Sequence, residues 1–375
     1  MILSSVNYAQ FEGEPKEWRL KDFTLGHINL LVGKNATGKS RSLNIIKGLA
    51  RLVSGEVKPA NLKSGTWEVS FEHEGDTPLY RVNISDGMVR NESYVSNGKT
   101  VLERSAGGKG KIFAKELRDT IEFQTPEDEL AVVARRDSIQ HPFFEPLYLW
   151  GNSLQHYQFG TPLGKDHYAI IREGKDDTLD AKNAEKVVAI FHKGSIGYGG
   201  RFEKAILADM ERISYPIESV GISPPQSVAF QGPHASEVVG LYVKESGLQG
   251  ITDQNDMSQG MFRALAIIVM LNYSYLAGKP NCILIDDIGE GLDFDRSTGL
   301  IELLVEKARS ANVQLVMATN DRFVMNKVPL EMWSVPQREG GDCRSYNYSN
   351  SKEIFDEFRF TGLNNFDFLA VDFLN

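Results

Sequence analysis

One stretch constrains this chain more than any other. The continuous apolar run Ile-Asn-Leu-Leu-Val at 28–32 is followed at once by Gly33-Lys34-Asn35-Ala36-Thr37-Gly38-Lys39-Ser40. Apolar residues then recur at Leu43, Ile45, Ile46, Leu49 and Leu52, close to helical spacing. The run reads as a strand buried on both faces, and the later spacing predicts a helix over 40–52. A strand that turns through glycines into a helix points its backbone N–H groups, and the positive end of the helix dipole, at one small volume. The spelling G-x-x-x-x-G-K-S in this context predicts a cradle for a polyphosphate. Gly33 to Gly38 would supply the backbone, Lys39 would reach the β- and γ-phosphates, and Ser40 would ligate Mg²⁺. The expected ligand is ATP with Mg²⁺.

Around this core the pattern alternates between regular and irregular. Apolar stretches at 2–6 and 18–25 predict strands, and 66–95 alternates like antiparallel strands, with Trp67, Val69 and Phe71, then Tyr80, Val82 and Ile84. Residues 96–224 are the least regular, with helices expected over 180–192 and 201–213. From about 225 the chain reads strand (238–243), helix (261–275), strand (282–285), helix (298–310), strand (313–318). That order implies a parallel sheet with helices on its faces. The expected division is 1–95 and 225–345 as two parts of one domain, 96–224 as a mixed α/β or helical insertion, and 346–375 as a tail.

Three further motifs carry chemistry. Cys282-Ile-Leu-Ile-Asp286-Asp287 is an apolar strand ending in acids. Asp286 would orient Mg²⁺ through its water shell opposite Ser40, and Asp287 would hold an attacking water. Glu290 offers another carboxylate, on the loop beyond the strand. Met257-Ser258-Gln259-Gly260-Met261 precedes the apolar helix, where Ser258 suits an N-cap and the helix start suits an anion. Gly291-Leu292-Asp293 follows the acidic strand, and Thr319-Asn320-Asp321 ends the next one.

In this order the motifs resemble those of the ABC ATPases, whose signature reads L-S-G-G-Q or L-S-G-G-E. Ser258 and Gly260 match it; Gln259 and Met261 depart. The resemblance covers about residues 1–50 and 240–325. Within that family, Ile28–Asn35 is similar to the SMC/RecF/OLD group of repair and phage-defence ATPases, with Ala36 replacing a glycine. The resemblance implies an α/β P-loop fold with a mostly parallel central sheet and an antiparallel N-terminal sheet. It implies an ATP-sandwich homodimer or higher homo-oligomer, in which Ser258, Gly260 and Asp293 face nucleotide held by the other subunit. Asp287 and Asn320 stand where the family carries a catalytic Glu and a switch His; with Lys39 they form the expected catalytic set, and the shorter acid and the uncharged amide imply slow turnover. A glutamine that senses Mg²⁺ is expected after the antiparallel strands, with Gln140 and Gln124 as candidates. Only 322–375 follows the switch strand, so no TOPRIM nuclease is expected in this chain; an effector such as a nuclease would be a separate protein.

Composition narrows the rest. The net charge of −9 lowers the expectation of a surface gripping nucleic acid all over, without excluding a local patch. The basic residues Lys99, Arg104, Lys109, Lys111, Lys115 and Arg118 are a candidate for phosphate-backbone contact, with a solvated face the commoner outcome. No apolar run approaches the roughly 18 residues of a membrane span. With no secretory signal pattern at the start, and only Cys282 and Cys343, a reducing cytoplasm is expected. His27, His73, His141, His156, His167, His192 and His234 have no zinc spacing. The aromatic group Phe143, Phe144, Tyr148, Trp150, Tyr157 and Phe159 is expected in the core. Two alternatives stay open beside the ATPase: a nucleotide-gated scaffold with little turnover, and a RecF-like DNA-binding protein.

Overall fold

The computed structural model describes residues 1–171, 180–231, 238–278 and 280–374. His234 lies outside them. The N-terminal part runs β1 (Ile2–Gln10), β2 (Trp18–Thr24), β3 (Ile28–Val32), α1 (Lys39–Val53), β4 (Ser64–Glu72), β5 (Leu79–Ser85), β6 (Met88–Ser96), β7 (Lys99–Arg104), β8 (Lys109–Ala114) and β9 (Asp119–Gln124). The middle holds α2 (Ala131–Ala134), α3 (Glu145–Ser153), β10 (Gln155–Gln158), β11 (Ala169–Ile170), α4 (Val187–Tyr198), α5 (Gly200–Arg212) and β12 (Ile217–Ser223). Then come β13 (Val238–Glu245), β14 (Thr252–Asp253), α6 (Gln259–Ala277), β15 (Cys282–Asp286), α7 (Phe294–Ala311), β16 (Gln314–Thr319) and α8 (Arg322–Lys327). The chain closes with β17 (Trp333–Glu339), β18 (Asp342–Asn347), α9 (Lys352–Phe360) and α10 (Asp367–Ala370).

Fourteen strands form one mixed sheet in the order β10-β15-β16-β3-β17-β18-β2-β1-β4-β5-β6-β7-β8-β9. The strands from β10 to β17 pair in parallel, and those from β2 to β9 antiparallel. The parallel and antiparallel parts are therefore continuous, where two sheets were expected. The hairpin β17–β18 joins them, because β17 lies beside β3 and β18 beside β2. Its sequence hides this role: Pro336 argues against a central strand, but β17 pairs with β3 only at Trp333 and Ser334, so the proline's missing N–H falls beyond that ladder. A small sheet of β11, β12, β13 and β14 lies apart from the large one.

Alternation along the parallel strands builds two cores. Leu31, Leu284 and Val316 face α1 and α3, packing with Leu43, Ile46, Leu49, Trp67, Phe71 and Trp150. Leu30, Val32, Ile283, Ile285 and Met317 face the other way, onto α4, α5, α6 and α7. Each fully buried Leu or Ile here contributes about 2 kcal/mol. By length and composition α6 could cross a membrane; in this fold it is packed among those helices.

The interval 96–224 is woven into the frame. Strands β7 to β9 continue the antiparallel meander across residue 95, and β10 takes the edge beside β15. Phe144, Trp150, Tyr157 and Phe159 are buried, with Trp150 edge-on to Phe71 at 5.0 Å between centroids. The tail is also structural: Phe368 stacks on Phe355 at 4.9 Å and packs edge-on to Phe358 and Trp333.

The basic stretch divides in two. Arg104 is wholly buried and faces buried Glu92 at 3.4 Å, while its other donors reach the Glu129 and Pro126 carbonyls. Glu92 also accepts from Tyr80 and from the Ala131 and Val132 amides. Lys111 lies in register between Glu103 and Glu122, which cancels much of its field. Replacing Arg104 by alanine leaves a buried carboxylate and two carbonyls without their partner; chemical unfolding of the variant is expected to show a loss of about 3–5 kcal/mol.

Candidate phosphate-binding site

The strands β3, β16, β15 and β10 end on one edge, and the candidate residues gather on the loops that leave them. Gly38 sits at φ 111°, and a side chain there would meet Cys343 Sγ at 3.1 Å and the Trp18 ring at 3.5 Å. The β17–β18 hairpin thus backs the loop, and the Cys343 thiol donates to the Thr37 carbonyl at 3.2 Å. Lys34, Asn35 and Ala36 are exposed at the mouth, and the Thr37 hydroxyl closes the turn onto the Lys34 carbonyl at 2.9 Å. Lys34 also pairs with Asp372, so the C-terminal tail reaches the loop. Ala36 lies at φ 64°, in the left-handed region that glycine takes without cost.

Lys39 is 6 % exposed and donates to the Gly33 and Lys34 carbonyls at 2.7 and 3.0 Å. Burial holds its ammonium below the ordinary lysine range, while Asp287 and Asp286 pull it back up. The Ser40 hydroxyl donates to Asp286 Oδ1 at 3.1 Å across 246 residues of sequence. Burial raises the Asp286 carboxyl; the Ser40 hydrogen bond lowers it and the Asp287 charge raises it again. An ammonium, a hydroxyl and two neighbouring carboxylates make a hard, oxygen-rich set beside the glycine loop. That set fits a triphosphate with Mg²⁺: Lys39 and the loop would hold phosphate, Ser40 and Asp286 the metal.

The glutamine expected to sense Mg²⁺ is where the topology differs from expectation. Gln124 is in β9 at the far end of the sheet, and the Gln140 carbonyl accepts from Lys115 just beyond β8. Gln158 instead ends β10 directly opposite Asp286, and the Phe159 amide donates to the Asp286 carbonyl at 2.8 Å. Sequence reading passed over Gln158 because Gln-His-Tyr-Gln is polar and short, with no apolar run to mark it as a strand of the central sheet.

Glu290 also moves into view. A Cβ placed on Gly160 would lie 2.9 Å from Glu290 Oε2 and 3.0 Å from Asp287 Oδ2, which puts the two carboxylates side by side over the loop after β10. Arg263, one turn into α6, fixes that arrangement by donating to the Gly160, Thr161 and Glu290 carbonyls at 2.7, 2.9 and 3.0 Å.

The remaining candidates lie at helix starts and at the end of β16. Ser258 is the N-cap of α6 and accepts from the Met261 amide at 3.2 Å. Gly260 is required by close approach, since a Cβ there would lie 2.6 Å from the Gly291 carbonyl. Asp293 caps α7 by accepting from the Arg296 amide at 3.0 Å. Asn320 is exposed at the end of β16, between Thr319, whose hydroxyl donates to the Ile288 carbonyl, and Asp321, which caps α8.

No family profile matches the sequence, and a search of curated proteins gives no match. The fold is similar to solved SMC heads. An SMC head bound to the C-terminal winged-helix domain of ScpA superposes with a TM-score of 0.54 at 13 % identity, over 94 % of this chain and 99 % of that one. An SMC head with an extended coiled coil, bound to the C-terminal domain of ScpA from Pyrococcus furiosus, gives 0.46 at 13 % identity over 96 % and 99 %. The SMC head from Thermotoga maritima gives 0.45 at 13 % identity over 92 % and 99 %. The likeness is one of fold: an α/β chain with a large mixed sheet.

The Ala36 backbone generates a direct check. Ala36→Gly removes the left-handed strain of an L residue, about 1 kcal/mol, against a smaller entropic penalty in the unfolded chain. Thermal unfolding without nucleotide is expected to shift upward; a downward shift would mean that the loop relaxes out of this conformation.

Proposed function

We propose that this chain binds and slowly hydrolyses ATP, closes on a second copy of itself around the nucleotide, and passes that closure to a partner protein. The observation that carries the reading is the Ser40–Asp286 contact, which joins the phosphate loop to the acidic strand end in one donor set. Bound Mg²⁺ would neutralise phosphate charge there. Lys39 exchanges its two carbonyl partners for phosphate oxygens. Asp287 orients and deprotonates the attacking water, with Glu290 as the neighbouring carboxylate able to take the proton. Gln158, opposite Asp286, reports the state of the metal site to the loop that Arg263 holds. Asn320 offers an uncharged hydrogen bond to the same end of the sheet.

Ser258, Gly260 and Asp293 form the surface offered to nucleotide held by the other copy. An output through a protein partner agrees with the acidic charge, and with the solved SMC heads that are bound to ScpA. The resemblance of the motifs to the repair and defence group supports an output that controls a separate effector such as a nuclease, in the cytoplasm. The RecF-like reading is weakened by the burial of Arg104 and the acids flanking Lys111. The scaffold reading draws on the short Asp287 side chain and on Asn320.

ATP turnover measured beside oligomeric mass separates these readings. Lys39→Ala is expected to lose both turnover and ATP-dependent assembly. Asp287→Asn is expected to assemble while turnover falls about 100-fold or more, and Glu290→Gln to lose less. A larger loss in Glu290→Gln would reassign the base. A wild-type chain that assembles with ATP but does not turn it over is a scaffold. ATP-dependent DNA binding that weakens with salt would restore the RecF-like reading.

A further inference from the structure

The signature turn has a cation beside it that the proposed cycle leaves unused. Gly260 lies directly against Gly291, so the start of α6 and the loop into α7 form one surface. On that surface Tyr215 stands beside Ser258, the N-cap of α6. The Arg296 guanidinium lies over the Tyr215 ring, 4.2 Å from its centroid, and Nη1 reaches Asp293 Oδ2 at 2.5 Å. Its Nε is buried without a hydrogen-bond partner among the described residues. The contacts that hold the guanidinium thus come from the Ser258 side: an aromatic platform below and a carboxylate at one end.

We infer that Arg296 acts in trans, its guanidinium meeting the γ-phosphate of ATP held by the phosphate loop of a second copy of this chain. The inference rests on the ATP-sandwich reading above. A guanidinium is a planar fork that accepts carboxylate and phosphate in the same geometry, and a terminal phosphate carries more charge than Asp293 offers. Without a facing nucleotide, Asp293 holds the fork in place. When a second copy closes, phosphate replaces Asp293, and the idle Nε provides a further donor. The Tyr215 ring keeps the fork from collapsing during the exchange, and the contact of Gly260 with Gly291 puts Ser258 and Arg296 on one surface, so serine and arginine address the same anion. Asp293 then acts as the resting partner of Arg296.

Mixing two defective chains tests this. In a Lys39→Ala plus Arg296→Ala heterodimer, the intact phosphate loop faces an intact Arg296. The first readout is sedimentation mass with a slowly hydrolysed ATP analogue; the second is turnover of ATP. Each variant alone is expected to assemble poorly and to lose turnover by about 100-fold. The equal mixture is expected to recover dimers and a substantial part of the turnover. A Lys39→Ala plus Ser258→Ala mixture is the control. If the control recovers and the Arg296→Ala mixture does not, the trans role is wrong while the sandwich stands. If neither mixture recovers, the sandwich reading fails and takes this inference with it. An Arg296→Ala chain that assembles and turns over like wild type also overturns the proposal. Should that chain not fold, Arg296→Gln, which keeps a stem over Tyr215, replaces it.

Discussion

Burial of the parallel strands β3, β15 and β16 on both faces is the constraint from which the rest follows. Their residues are buried throughout, so helices must cover both sides: α1 and α3 on one, α4 to α7 on the other. Parallel strands reached through such helices all end on the same edge. That is why a glycine loop at residue 33, an acid at 286 and an amide at 320 meet although they are far apart in sequence. The sheet acts as a ruler, with the register Thr319 to Val32 and Gln158 to Asp286 setting which loop tips are neighbours.

The loops on that edge are tied to each other as well as to the sheet. Arg263 takes carbonyls from two loops at once. Lys165 donates to the Met257 carbonyl at 2.5 Å, and buried Gln254 donates to the Lys165 and His167 carbonyls at 2.6 and 2.8 Å. The segment after Gln158 is thereby fastened to the turn before Ser258. A shift at Gln158 has a short covalent and hydrogen-bonded route to the turn before Ser258. Charge-assisted bonds to backbone carbonyls suit this purpose, since each is stronger than a neutral pair and leaves the carbonyl's helix or strand intact.

The tail and the β17–β18 hairpin show how much of the site depends on sequence that carries no motif. Cys343 and Trp18 shape the space behind Gly38, and Phe368 holds the tail on Trp333 so that Asp372 reaches Lys34. These are packing relations between side chains of ordinary type, invisible to any spacing rule.

The local features were legible in the chain itself. Periodicity marked β3, α1, α6, β15, α7 and β16, because an apolar run or a helical stripe is a property of neighbours. Spelling marked the glycine turn at Gly38 into α1 and the cap at Ser258, because tight turns and helix caps are built from consecutive backbone groups. What only the tertiary structure decided are the relations between distant segments. A polar strand such as Gln155–Gln158 gains its place from the edge it pairs with, so Gln158 replaced Gln124 and Gln140 beside Asp286. A loop folds back in ways that spacing does not encode, so Glu290 came beside Asp287. One sheet formed where two were expected, because a hairpin broken by Pro336 bridges strands more than 300 residues away in sequence. Sequence fixes what each segment can do alone; register and packing decide which segments do it together.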